Sequence, residues 1–600
     1  MHFFLLLFFS LSLFANSDDY IKLAEEKELS KSKYWQVLLH MPDGVSEVED
    51  KAFFLAKNGK VDALAELKAT IEALYNETQF DDNSTACLFP ARKHWLSKEL
   101  KLKNLPEVKC EQFDYLLSQM DPKSVSLIFP YMQGSSPSSM FGHTFLRIDS
   151  NSKPRMLSYA FNYGSEQDDN DNKLTYMYKG FFGGYKGTYS LLPYYKKIKE
   201  YRDLEERDIW EYDLNFTKEE TIQMLRHIWE VELNYSWYYF FTQNCSYKMF
   251  WIMESAREGL DLRKYFNFHV IPSETVRAVV DEGLVKDYQY IPARRTKLIA
   301  YENKLNDKDI ADVFSISKDT LKLNEYLKKE DTALQTKQFV LEASAEFVEY
   351  DYQKKDIDMT LYKKRLHNIL IARASLGQGD NIEIALPVNP ILSHRSFTVS
   401  SEVGIRNSEE IGFIGIRPAN HAITDFDIGY LPGAQVEFMD LLFSYKKNDF
   451  NVEKATIVSI ASLTPKTKFF KQNSYRFSFG FDRKYLNENT EFTANYSQGG
   501  TWGDQNAYLY LLADALLYTN NIITVGAGGV MGATFHQGKY FQTNLEVNQR
   551  IYSTNDTQLL FYASQRYQSS QNTAFALSYD YVQKDEEDWK TYKLSFYYYF

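Results

Sequence analysis

The residues best suited to chemistry in this chain are a cysteine expected at a helix start and a histidine expected at a strand start. In FFTQNCSYKMFWIMESA, Cys245 follows Asn244, and Asn244 or Thr242 suits a helix N-cap. Met249, Ile252, Met253 and Ala256 then recur at helical spacing, so Cys245 is expected in a first helical turn. There the helix dipole and free N–H groups lower a thiol pKa and favour the nucleophilic thiolate. The other role open to a lone thiol is that of a buried structural cysteine. His143, in MQGSSPSSMFGHTFLRID, follows a Gly- and Ser-rich loop and is expected to open a strand. A nucleophilic cysteine needs a base, and imidazole is the usual one. Strands over His143–Ile148 and Met156–Phe161 flank the turn DSNSKP; folded about its centre, the hairpin sets Ala160 opposite His143 and Asn162 on the same face. Asn162 is therefore the candidate to orient the imidazole in a Cys–His–polar triad. Tyr159 and Ser158 are lesser candidates. A satisfied structural histidine at 143 and a turn residue at 162 are the alternatives.

The chain has 3 Cys. In an exported protein two of them pair, and Cys87 with Cys110, close in sequence and in one region, is the economical disulfide. Other patches carry less. GSSPSS could offer backbone N–H groups to an oxyanion, but it is no G-x-S-x-G elbow, so a serine nucleophile is not expected. GFFGGYKGTYS lacks the phosphate-loop pattern, and Glu166–Asp171 lacks EF-hand spacing. His40, His94, His227 and His269 form no ligand spacing, so no metal and no cofactor are expected. The aromatics from Tyr235 to Phe241 suit either core packing or an acyl pocket.

These residues need elements to hold them. The chain of 600 residues is 44% hydrophobic and 25% charged, enough for several folded domains and too apolar for disorder. A net charge of −12 is the wrong sign for a nucleic-acid partner. Residues 1–17 carry an apolar run, Phe3–Phe14, followed by small residues, as a signal peptide does. Residues 18–115 have helical periodicity. Residues 116–300 mix short β-like runs with helices, an α+β domain, and residues 301–390 form a helical connector. From 391 to 600 the period changes to two. Phe397, Val399, Val403 and Ile405 alternate with Thr398, Ser400 and Glu402; Phe541, Leu545, Val547 and Ile551 alternate with Gln542, Asn544, Glu546, Asn548 and Arg550. A soluble sandwich and a membrane barrel share this period. Long strands, aromatic strand ends and the terminal Phe600 favour an antiparallel outer-membrane-type β-barrel of about 10–12 strands.

The run from about 115 to 290 resembles the extracytoplasmic domain of the Lnb-type lipoprotein N-acyltransferases. FGHTFLRID, LSYAFNYG, KGFFGGYKGTYS, RDIWEYDLN and YYFFTQNCSYKMFWIMESA occur in family order. The order of histidine then cysteine also resembles a permuted NlpC-type papain-like fold, and lecithin:retinol acyltransferases share it. The resemblance implies that Cys245 takes an acyl group as a thioester, that His143 is the general base, and that a lipid or lipoprotein is the substrate. Those enzymes have a helical membrane anchor; here the C-terminus has the strand pattern instead. The expected protein is a cysteine-dependent acyltransferase or hydrolase at the cell outer membrane, among its lipids, with the N-terminal domains in the periplasm. A cell-wall amidopeptidase of NlpC type, or a barrel with a non-catalytic binding or plug domain, are the alternatives.

Overall fold

The computed structural model describes residues 16–134, 138–168, 170–266, 269–484, 490–520 and 522–600. Most of the expected signal peptide, and residues 135–137 of the Ser-rich loop, lie outside the described residues. The N-terminal region is helical, with helices Ser17–Glu26, Lys33–Leu38, Ala63–Tyr75, Thr85–Leu88, Pro90–Leu100 and Glu111–Met120. Their apolar faces meet in a core that includes Trp35, Leu38, Leu67, Ile71, Trp95 and Leu96. Cys87 and Cys110 are joined, with Cα atoms 5.2 Å apart.

The middle region is a seven-stranded antiparallel sheet. Its strands are β1 (Pro122–Pro130), β2 (Phe145–Ser150), β3 (Tyr159–Ser165), β4 (Tyr185–Pro193), β5 (Ile209–Leu214), β6 (Tyr235–Tyr238) and β7 (Val285–Ile291). They lie in the order β6-β4-β3-β2-β1-β5-β7. The central strands are buried on both faces, between helices Lys218–Val231 and Cys245–Ala256 on one side and Tyr194, Ile198 and Tyr201 on the other. The first hairpin differs from the sequence expectation. β2 begins at Phe145 and β3 at Tyr159, because Arg155–Leu157 winds into a 3-10 turn. The register then sets Ala160 opposite Arg147, not His143. Five helices follow, Arg294–Glu302, Asp307–Lys318, Thr320–Leu327, Leu334–Gln353 and Met359–Ser375. Their core packs against Phe469 and Phe470 on a barrel turn.

The C-terminal strands are β8 (Thr398–Arg406), β9 (Glu409–Arg417), β10 (Ala419–His421), β11 (Ala434–Lys446), β12 (Asp449–Ser462), β13 (Ser474–Asp482), β14 (Glu491–Gly503), β15 (Ala507–Asn520), β16 (Ile522–Gln537), β17 (Phe541–Tyr552), β18 (Thr557–Ser570), β19 (Thr573–Lys584) and β20 (Glu587–Tyr599). Twelve of them close into a ring: β20 pairs with β8, and β9 pairs with β11. β10 is the exception, a short strand pairing only the start of β11. Burial separates barrel from sandwich. Val403, Ile405, Leu545 and Ile551 are exposed, whereas Ser400, Glu402, Asn544 and Arg550 are buried. A barrel with an apolar exterior and polar interior is built to cross a membrane with strands.

The lumen is filled. Arg476 pairs with Glu546 at 2.7 Å and Arg550 with Asp514 at 2.5 Å. The segment 418–433 between β9 and β11 turns inward as a plug at the end where β8 starts and β20 finishes. Ile423 packs beside Tyr508, Tyr510 and Leu512, and its carbonyl accepts from Gln542 Nε2 at 3.0 Å. Tyr131, leaving β1, donates to the Gly429 carbonyl at 2.7 Å and fastens this plug to the α+β domain.

Candidate active site

Cys245 opens the helix Cys245–Ala256 because Asn244 fixes its start. The Asn244 Oδ1 accepts from the N–H groups of Ser246 at 3.1 Å and Tyr247 at 3.2 Å. Its Nδ2 donates to the carbonyls of Phe240 at 3.0 Å and Val270 at 2.7 Å. A cap held on both sides leaves the helix one place to begin. The whole helix is buried, Lys248 included. A lone buried ammonium would cost several kcal/mol, and Glu47 of the helical region offsets that: its Oε2 lies 2.7 Å from Lys248 Nζ and accepts from Trp251 Nε1 at 2.9 Å. The helical region thus helps to seat the cysteine helix.

His143 follows Gly142, whose φ of +78° turns the chain toward β2. A Cβ there would stand 2.6 Å from the Phe129 ring, so only glycine permits this close turn over β1. His143 Nε2 is 2.6 Å from Asn162 Oδ1. A carbonyl oxygen only accepts, so Nε2 donates and Nδ1 is left for the thiol. Asn162 reaches the ring diagonally across the β2–β3 pair, two residues along from the position it faces directly. The Tyr201 ring stacks on the imidazole, with centroids 5.3 Å apart. It comes from the π-helical turn Lys199–Leu204.

Imidazole and thiol are close enough for each to act on the other's charge. Burial pushes the Cys245 thiol up, but the His143 charge and hydrogen bond, the Thr144 backbone N–H and Ser246 together bring it down to about 7. Burial pulls His143 down; the thiolate charge and the bonds to Cys245 and Asn162 prevail and leave it above its ordinary value. Both shifts favour a thiolate–imidazolium pair. Such a pair can attack a carbonyl carbon and return a proton to the leaving group.

The structure brings Cys245, His143 and Asn162 together. Ser158 donates instead to Asp149 Oδ1 at 3.2 Å, and Tyr159 lies under Lys153 Nζ. Three neighbours were not foreseen from sequence. Ser246 Oγ is 3.8 Å from Cys245 Sγ and accepts from Thr144 Oγ1 at 2.8 Å; adjacency to Cys245 and His143 was the available signal. Tyr201 has no sequence signal. The acidic stretch ending at Asp171 is engaged internally, Asp171 holding Lys179 Nζ at 2.8 Å and Tyr185 OH at 2.6 Å. His40 and His227, which show no ligand spacing in sequence, meet with Nε2 atoms 2.9 Å apart, and His227 faces Glu230 at 3.2 Å.

Among the described residues, one group has metal-ligand proximity: His394, His421 and Asp425, all buried, with donor atoms within 4.8 Å of one another. Both Asp425 oxygens are already occupied. Oδ2 accepts from Arg417 and from the Ala422 N–H, and Oδ1 accepts from Arg566 Nη1 at 2.5 Å and Tyr599 OH at 3.0 Å. Two guanidiniums on one carboxylate repel a further cation, so the group suits a plug lock better than a metal centre. A cavity of about 650 Å³ lies between the helical region and the cysteine helix; Glu47, Gln243 and Tyr247 line it, but neither Cys245 nor His143 does.

Fold and site define an outer-membrane-type barrel protein that carries a buried cysteine–histidine pair on its periplasm-facing part. Residues 111–282 match the Lnb N-terminal periplasmic domain, and residues 27–99 and 387–599 match two domains of unknown function. No curated protein matches the chain. Among solved structures, the chain is similar to the KdgM porin (TM-score 0.23, 9% identity, 34% of this chain and 99% of that one). It is also similar to an outer membrane channel from Pseudomonas putida (0.23, 11%, 36% and 97%) and to an anion-selective porin from Comamonas acidovorans (0.19, 9%, 34% and 98%).

Proposed function

We propose that the protein is a cysteine acyltransferase that moves a fatty acyl chain from a lipid-linked donor, such as a lipoprotein, to an amine. The buried free thiol beside an imidazole that Asn162 holds at 2.6 Å is the observation that carries this reading, and the lowering of the thiol to about 7 agrees with it; the match to the Lnb N-terminal periplasmic domain supports the substrate class. The Cys245 thiolate attacks the ester carbonyl, and the C–S bond forms as the C–O bond breaks. The leaving alkoxide takes the proton from the His143 imidazolium. An amine then attacks the thioester, forming C–N and breaking C–S, while His143 accepts the amine proton. The positive end of the cysteine helix and the Thr144 N–H favour the thiolate before attack.

The test is intact-mass analysis of the full chain incubated with a diacylated lipopeptide. An acyl adduct on Cys245, chased onto a peptide amine, is the expected result. No adduct on Cys245, with cleavage of cell-wall peptides instead, would replace this reading by the amidopeptidase one.

A further inference from the structure

Outward-facing apolar residues form the barrel's belt: Leu509 is 54% exposed and Leu577 63%. On one arc this belt is covered. Phe438 on β11 and Val458 and Ile460 on β12 also point outward, since Gln435, Glu437 and Ser459 between them bond to one another and to the plug inside. Yet they are only 6%, 3% and 5% exposed. Their cover is Met140, Phe141, Phe181, Phe240, Phe241 and Ile271 of the α+β domain. Phe241 meets Phe438 with centroids 4.6 Å apart, and Phe141 meets it at 5.5 Å. These are the segments that deliver the reactive pair: Phe141 is two residues before His143, and the Phe240 carbonyl holds the cap of the cysteine helix. The site's own loops therefore lean on the outside of the wall, at strand ends on the periplasmic side, level with the belt.

Phe181 reaches that wall from the helix Lys173–Phe182, stacking on Phe241 at 5.1 Å. On the same helix Tyr178 is 66% exposed and Phe182 69%, with ring centroids 5.1 Å apart. Lys179 between them is turned back onto Asp171. The exposed pair flanks Phe181, which covers the outward face of β11 through Phe438, and an exposed Tyr–Phe pair beside a barrel wall is the chemistry of a membrane interface.

We propose that the helix Lys173–Phe182 sits in the periplasmic leaflet of the outer membrane beside β11–β13, and that acyl-lipid substrate reaches Cys245 sideways from that leaflet. The delivery of substrate rests on the acyl-transfer reading; the lipid contact of the helix does not. The test places the full chain in nanodiscs containing a phospholipid with a diazirine in its acyl chain, followed by mapping of the photo-adducts. Adducts on Tyr178 and Phe182 together with belt residues such as Leu509 and Leu577 are expected, and they persist in Cys245→Ala. Adducts on the belt but none on the helix overturn the proposal, whether the patch then meets protein or water. The double variant Tyr178→Glu/Phe182→Glu loses the helix adducts and slows acyl transfer from bilayer lipid by about tenfold or more, while alkylation of Cys245 by iodoacetamide stays at the wild-type rate. Unchanged transfer in that variant overturns sideways delivery, even if the adducts are lost.

Discussion

Two of the places where the chain buries polar groups treat them in opposite ways. In the barrel the Asp425 carboxylate is held by Arg417, Arg566, Tyr599 and the Ala422 N–H. Charge meets charge until nothing is left to react, which suits a closed lumen. In the α+β domain a thiol and an imidazole have little besides each other, with Asn162 behind the ring and Thr144 and Ser246 beside the sulfur. Their shifts bring the two proton affinities toward each other, so the proton can move. The lesson is that burial alone marks no active site; incomplete compensation near neutral pH does.

The largest test of this contrast removes the pair. Cys245→Ala and His143→Ala are each expected to lower acyl transfer by about 10³-fold or more, with the barrel still heat-modifiable on gels. The double variant should be little slower than either single one, because the two act as a unit. Strictly additive losses would break the comparison from the catalytic side. From the barrel side, Asp425→Ala leaves Arg566 without its carboxylate and Arg417 with Glu437 alone, a loss of about 3–5 kcal/mol. Planar-bilayer recordings should show stepwise conductance for this variant and a silent wild type; a silent variant of wild-type stability would mean that the lock is not needed.

The next effect concerns pH. Because the thiolate is the nucleophile, alkylation of Cys245 should rise as pH increases through about 7. In His143→Ala the largest lowering influence is lost while burial still raises the thiol, so the midpoint should move to alkaline pH, back toward its ordinary value. A midpoint that stays near 7 would assign the shift to the helix start instead. The smallest effect is that of Asn162→Ala, about 10- to 100-fold in turnover, with a lower His143 midpoint by NMR titration, since the Asn162 bond raises that group. Asn162→Asp restoring the midpoint without Ala's loss would mark a positioning residue.

Much of this was legible in the sequence where the signal is local. The N-cap at Asn244 and the apolar spacing after it placed Cys245 at a helix start, and period-two alternation marked β8 and β17. That alternation could not say which face looks outward; only the exposure of Val403 and Ile551 against buried Glu402 and Arg550 decides it. The hairpin register was misjudged because a 3-10 turn at Arg155–Leu157 has no strong residue signature. Tyr201 on His143, Glu47 on Lys248 and the His394–His421–Asp425 group all join residues distant in sequence or held by tertiary packing. Such pairings are set by how surfaces meet, and no short spacing encodes them.

The barrel seam has a consequence for the order of assembly. The ring closes where β8 pairs with β20, and the Phe600 N–H donates to the Phe397 carbonyl at 2.8 Å. The first and last strands of the barrel are therefore each other's neighbours, and no closed wall exists until β20 has been made and inserted. Phe141, Phe240 and Phe241 are backed by β11, β12 and β13, which are made before β20. The loops that carry the reactive pair therefore lean on strands that follow their own domain in the chain, and the site has its wall only once β11–β13 are in place.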